Sequence, residues 1–152
     1  MNSPSDKLKI AYQEKYQAEK ASKTDVLTGL LNRRAYYEIG TKESSLYQRH
    51  KHDTTLILLD IDDFKAFNDT YGHDVGDKVL QYFAKVLQKL TREEDYAFRL
   101  GGDEFLLLLS EANEEKAEHL VSRIKQELLT NKLQLGEQRL STTVSVGIAQ
   151  FP

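Results

Sequence analysis

The chain has 152 residues, enough for one domain with its own core. It holds 39% hydrophobic and 30% charged residues, no Cys, and no apolar run near the ~18 residues of a bilayer span, which excludes a transmembrane helix, a disulfide framework and a thiolate metal site. A net charge of −3 excludes the global positive field of a nucleic-acid binder. The polar N-terminus lacks the apolar stretch of a secretory signal, so a cytoplasmic setting is expected, with neither nucleic acid nor membrane as a partner of this segment. An anionic substrate then needs a local device: a metal ion, a nest of N–H groups, or a few placed Lys and Arg.

Residues 1–23 read as an N-terminal helix or linker. Met1 to Asp6, with two Ser and a Pro, is expected to fray. Leu8 to Lys23 is helix-prone, but its apolar face of Leu8, Ala11, Tyr12 and Tyr16 is thin. It is either a solvated helix or the end of a signalling coiled coil, and it is shorter than the roughly three to four heptads that would decide. Thr24 and Asp25 are placed to cap a helix through Leu27, Leu30 and Leu31. A second amphipathic segment runs from Arg33 to about Arg49. Thr54 to Ile61, interrupted only by Asp60, reads as a buried strand. Asp74 to Leu90 is a clear helix, with Val75, Val79, Tyr82, Phe83, Val86, Leu87 and Leu90 on one face. Tyr96 to Leu100 and Phe105 to Leu109 form a hairpin around Gly101-Gly102-Asp103-Glu104. Glu111 to Thr130 is a further amphipathic helix, and Leu133 to Phe151 reads as strand, turn at Gly136, strand. The alternation predicts an α/β sandwich: a mixed, mostly antiparallel sheet flanked by helices.

Three stretches carry chemistry. Asp60, Ile61, Asp62, Asp63, Phe64 and Lys65 end an apolar strand in acids, a good place to hold a hard cation through oxygen ligands, or simply a polar loop after a strand. At the hairpin tip, Gly101 and Gly102 leave room for a bulky anionic group against bare backbone. Asp103 and Glu104 then face that group, which makes sense with a cation between them; the plain alternative is a tight turn with a solvated acidic tip. Asn68 to Asp77 bridges the first strand to the long helix. The Asp77 carboxylate can accept from the N1–H and N2–H₂ edge of guanine, and Asn68 can add an orienting bond. Capping and turn chemistry account for the same residues, and His73 by itself reads as a structural hydrogen-bonder.

Together these stretches resemble one family, the GGDEF-domain diguanylate cyclases. Asp25 to Arg34 is similar to its opening DxLTGLxNRR signature, Asp60 to Asp77 to DIDxFKxxNDxxGHxxGD, and Arg99 to Phe105 to RxGGDEF. The resemblance runs from about Asp25 to Pro152, and three ordered motifs at family spacing are a specific signal. The resemblance implies a palm-like sheet, similar to class III nucleotide cyclases and many polymerases. It implies a nucleotidyltransferase that condenses two GTP into cyclic di-GMP with release of pyrophosphate, as a homodimer, each subunit bringing one GTP. Asp60, Asp103 and the carbonyl of Ile61 would hold Mg²⁺ or Mn²⁺, with Glu104 on a second ion, and Asp103 would also be the general base. Lys65 would meet the triphosphate, the N–H groups of Phe64 to Phe67 would cradle phosphates as a nest, and Asn68 and Asp77 would read guanine with His73 nearby.

Arg92-Glu93-Glu94-Asp95 is an RxxD where the family's inhibitory product site sits: Arg92 can fork onto phosphate and Asp95 can accept from a guanine edge. A charged surface turn is the plain alternative. Family domains continue past the last strand with another helix and strand that carry a phosphate-contacting Lys. Residues 24–152 are therefore expected to be a GGDEF domain lacking those elements, with a lower ceiling on activity. The alternative function is a catalytically silent module that binds GTP or cyclic di-GMP to regulate a partner. A silent domain would ordinarily show a damaged signature, and Asp103 and Glu104 are intact.

Overall fold

The computed structural model describes residues 3–50 and 53–150; Met1, Asn2, Phe151 and Pro152, at the outer ends of two expected segments, lie outside them. Helix α1 spans Pro4–Ala21, α2 Arg33–His50, strand β1 Thr54–Ile61, α3 Phe64–Tyr71, α4 His73–Leu90, β2 Tyr96–Gly101, β3 Glu104–Ser110, α5 Glu114–Thr130, β4 Leu133–Leu135, β5 Gln138–Leu140 and β6 Val144–Gln150. The main sheet has the order β2-β3-β1-β6, and all three pairs are antiparallel. One parallel bridge, Leu31 to Phe98, adds the mixed element at the β2 edge. The β-α-β-β-α-β order with β1 at the centre is a ferredoxin-like arrangement.

Alternation along the strands builds two layers. Ile57, Leu59 and Ile61 of β1 join Phe105, Leu107 and Leu109 of β3 on the face covered by α4 and α5, where Val79, Phe83, Leu87 and Ile124 are buried. Leu56 of β1, Leu106 and Leu108 of β3 and Phe98 of β2 look the other way, towards Ala35, Tyr36 and Ile39 of α2. This second face is open over the β1–β6 half: Leu58 is 45% exposed, and Gly147 opposite it and Ala149 opposite Leu56 are exposed. Asp60 and Glu104 stand on the same open face, paired across β1 and β3.

Five local expectations change. From Leu133 onward there are three strands rather than two: β4 and β5 pair as a separate two-stranded sheet, and β6 joins the main sheet beside β1. Ser3 to Asp6 does not fray: Pro4 opens α1, and the Ser3 amide and hydroxyl donate to Asp6 Oδ2 at 3.2 and 2.9 Å, a cap for the first turn. Thr24 to Leu31 is a tight loop rather than a helix. The Asp25 carboxylate accepts from the amide and hydroxyl of Thr28 at 3.0 and 2.7 Å, and Leu31 leaves the loop to pair with β2, so the segment closes on itself before one helical turn can extend. Phe64–Tyr71 is a helix of its own, separated from α4 at Gly72. Helix α5 begins at Glu114, capped by the Asn113 side chain accepting from Lys116 N at 3.0 Å, because Glu111 has a left-handed φ of 51° that a helix cannot include.

Candidate active site

The ends of β1 and β3 bring the first two stretches together. Asp60 lies directly opposite Glu104 in register, and Ile61 N donates to Asp103 O at 3.3 Å. Asp60 sits above the usual carboxylate range, and the first cause is hydrogen bonding with the Asp103 side chain. That bond, then partial burial, then the negative charges of Asp103, Glu104 and Asp62 push Asp60 up to about 6. Asp62, the next acid, behaves in the opposite way. The hydroxyls of Ser145 and Thr143 donate to it at 2.5 and 2.7 Å and hold its carboxyl below the usual range. Gly101 and Gly102 make the tip with φ of 144° and 53°, and a Cβ on either would meet no protein atom, so the backbone there faces open space. Arg99 braces the tip from below by donating to Gly102 O at 3.0 and 2.9 Å and to Asp25 at 3.1 Å.

Two carboxylates forced together, a third beside them and a backbone carbonyl at Ile61 form a hard-oxygen set. Among the described residues no three His, Asp or Glu side chains close into a metal cage by themselves. Oxygen donors of this kind are the ones a hard cation such as Mg²⁺ takes, usually one or two carboxylates with substrate phosphate and water completing the shell.

The third stretch lies on α3 and α4. Lys65 is exposed in the first turn of α3. Phe67 N donates to Asp63 O at 2.9 Å, so the amides left for an anion in that turn are those of Phe64, Lys65 and Ala66, and no side chain caps them. The expected four-residue nest is thus a three-amide helix start. Asn68 is half-buried against α4, while His73 and Asp77, one turn apart on α4, are both exposed.

The Arg92–Asp95 turn is a separate feature. Arg92 donates to Asp95 through its backbone N at 3.0 Å, Nε at 3.2 Å and its guanidinium end at 3.1 Å, and reaches Ser110 O at 3.1 Å. The Asp95 side chain is 2% exposed, so it holds Arg92 rather than facing outward. The guanidinium borders a cleft of about 220 Å³ between the end of α4, β3 and α5.

A family model described as "Diguanylate cyclase, GGDEF domain" matches residues 22–152. The chain belongs to the GGDEF family. It is similar to the diguanylate cyclase DosC of Escherichia coli, 36% identical over 128 residues that are 84% of this chain and 28% of that protein. The diguanylate cyclase DgcP of Pseudomonas aeruginosa is 40% identical over the same share of this chain and 19% of its own length. The chain thus spans under a third of these relatives. Among solved structures, the coiled coil and GGDEF domain of DgcB from Caulobacter crescentus in complex with c-di-GMP superposes with a TM-score of 0.88 at 28% identity, over 95% of this chain and 77% of that one. The diguanylate cyclase SiaD of Pseudomonas aeruginosa, in complex with its activator SiaC, gives 0.82 at 39% identity, over 96% and 56%.

The palm-like GGDEF fold, with helices on an antiparallel sheet, is therefore the fold of this chain. Some of its candidate residues escaped the sequence reading. Lys116, His119 and Arg123 of α5 line the cleft beside Arg92. Their spacing of three and four residues places them on one helix face, a signal that was present but looked like an ordinary solvated face. No helix among the described residues is long and apolar enough to cross a membrane.

Proposed function

We propose that this GGDEF domain is a diguanylate cyclase that condenses two GTP into cyclic di-GMP and releases pyrophosphate. The observation that carries the reading is the meeting of three acids where β1 runs beside the hairpin tip: Asp60 pairs opposite Glu104, and the Ile61 amide donates to the Asp103 carbonyl at 3.3 Å. Such an arrangement is unfavourable unless a proton or a cation lies between the acids. Asp60, Asp103 and the Ile61 carbonyl would hold Mg²⁺ or Mn²⁺, with Glu104 on a second ion. When bound, the metal would supply charge stabilisation for phosphoryl transfer. Asp103 would accept the proton of the attacking 3′-hydroxyl. Lys65 would meet the triphosphate, and the free amides of Phe64, Lys65 and Ala66 would bond its oxygens. The bare backbone of Gly101 and Gly102 would let phosphate approach the tip. Asp77 would accept from N1–H and N2–H₂ of guanine, Asn68 would orient the base, and His73 would lie near the nucleotide.

Each chain offers one such half-site, so the second 3′-hydroxyl comes from a second copy and the active species is a homodimer. Cyclic di-GMP would also bind as a feedback inhibitor at the cleft beside Arg92, with Asp95 fixing the guanidinium and Lys116, His119 and Arg123 adding donors for phosphate. Incubation of the chain with GTP and Mg²⁺ or Mn²⁺, followed by chromatography of the nucleotides, tests the reading. Cyclic di-GMP should form with the parent. Asp103→Asn should lose at least about tenfold in rate, each factor of ten being about 1.4 kcal/mol of transition-state stabilisation. An Asp103→Asn chain that is folded and as active as the parent would sink the proposed role.

A further inference from the structure

We infer that Gly76 is a specificity-determining position of the guanine site, because its bare Cα is what seats the Asn68 amide. The inference rests on the guanine reading above. Asn68 sits near the end of α3 and Gly76 in the first turn of α4. Gly72 joins them: its N–H donates to Asn68 O at 2.7 Å, and its carbonyl accepts from Gly76 N at 3.1 Å. One residue thus folds the two helices against each other and sets the Asn68 side chain on the start of α4.

Gly76 is buried at that contact, and Asn68 Oδ1 is buried with no hydrogen-bond partner. A Cβ on Gly76 would fall 2.8 Å from Asn68 Cγ and closer still to Oδ1, well inside van der Waals contact. Helix formation gives no reason for Gly here, since Ala is the better helix former. The contact does give one.

The consequence reaches the base. With Oδ1 turned inward against Gly76, the amide end left to donate is Nδ2, and the exposed Asp77 follows Gly76 directly on α4. A donor seated on Gly76 and an acceptor on the next residue would match a guanine, which offers N–H groups and ring or carbonyl acceptors on neighbouring atoms. Adenine has no N1–H and no 2-amino group for Asp77. A side chain at position 76 would push the amide out of its seat and remove the donor, leaving Asp77 in place.

The test is a double-mutant cycle read by calorimetric titration, with Mg²⁺, of a non-hydrolysable GTP analogue and its ATP counterpart. Asn68→Ala and Gly76→Ala should each weaken the GTP analogue by about five- to tenfold, the loss of one hydrogen bond, and leave the ATP analogue little changed. The double variant should be no weaker than either single variant, within about twofold. Gly76→Ala binding the GTP analogue like the parent overturns the inference and leaves the guanine reading standing. A double variant that multiplies the two single losses also overturns it. A parent with no preference for the GTP analogue removes the guanine reading and the inference with it. If Gly76→Ala does not fold, thermal melting of the double variant decides. Recovery of the fold once the amide is gone supports the clash, and a double variant that also fails to fold contradicts it.

Discussion

Asp60 ends an apolar strand with its carboxyl against that of Asp103, and this contact has a consequence for pH. Its folded pKa of about 6 lies above the ordinary 3.8, through the Asp103 hydrogen bond first, then burial and neighbouring acids. The folded chain keeps a proton that the unfolded chain releases near pH 4. The stability from this group is therefore full below about pH 4 and is lost as pH rises to about 6. In chelator at pH 7.5, Asp60→Asn should melt higher than the parent, and at pH 4 the difference should vanish. Mg²⁺ at pH 7.5 should raise the parent's midpoint more than the variant's. A scanning fluorimetry series with and without Mg²⁺ checks all three, and a variant that melts lower in chelator at pH 7.5 contradicts the crowded-acid account. Asp25 has the opposite sign. Burial raises it, but the Thr28 hydroxyl and amide and the Arg99 charge outweigh burial, so its contribution is lost as pH falls. Asp77 supports a separate expectation. Asp77→Ala should cut the preference for GTP over ATP by about 1–3 kcal/mol, the cost of unpaired polar groups, measured by titration of both nucleotides.

Among the elements, the hairpin of β2 and β3 is held in place by its last signature residue. Phe105 is fully buried and meets Phe83 of α4 edge-on, with ring centroids 4.8 Å apart, so the acidic tip is fixed relative to the helix that carries Asp77. Phe105→Ala should destabilise the chain by about 3–5 kcal/mol. The melting point should then fall by at least about 6 °C, at roughly 2–4 °C per kcal/mol for a chain of this size. Where periodicity was strong the elements were legible: β1 matches residue for residue, and α4 differs by one. Short segments were not. The 25–31 loop has helix-like leucines, but it closes through Asp25 and Thr28, which periodicity cannot register. Phe64–Tyr71 looked like connection because Gly72 interrupts the pattern. The candidate site was legible through its motif spacing, whereas the seating of Asn68 on Gly76 depends on how two helices cross. The Arg92 turn also belongs at this scale. Arg92→Ala should weaken cyclic di-GMP binding by at least about tenfold, since a fork onto phosphate is worth roughly 1.5–3 kcal/mol. Equal binding of cyclic di-GMP by parent and variant in calorimetry would show the site to be misassigned.

For the whole molecule, the question is how two half-sites meet. Helix α1 has Leu8, Tyr12 and Tyr16 at four-residue spacing, all more than half exposed, but Glu and Lys surround them and no long stripe forms. That face alone is too thin for a strong coiled coil. The joint to the domain is better defined: Asn32 Nδ2 donates to Ser22 O at 2.6 Å, while its Oδ1 accepts from Ala35 N and caps α2. Encounters between copies should therefore be transient, and the rate per chain should depend on how often they occur. The most direct measurement is turnover of GTP with Mg²⁺ over a dilution series of this chain, with the product resolved by chromatography and the mass in solution followed in parallel. The account predicts cyclic di-GMP as product and a specific activity that rises with protein concentration. Unchanged GTP at every concentration, or a constant specific activity from a chain that stays monomeric, would contradict it.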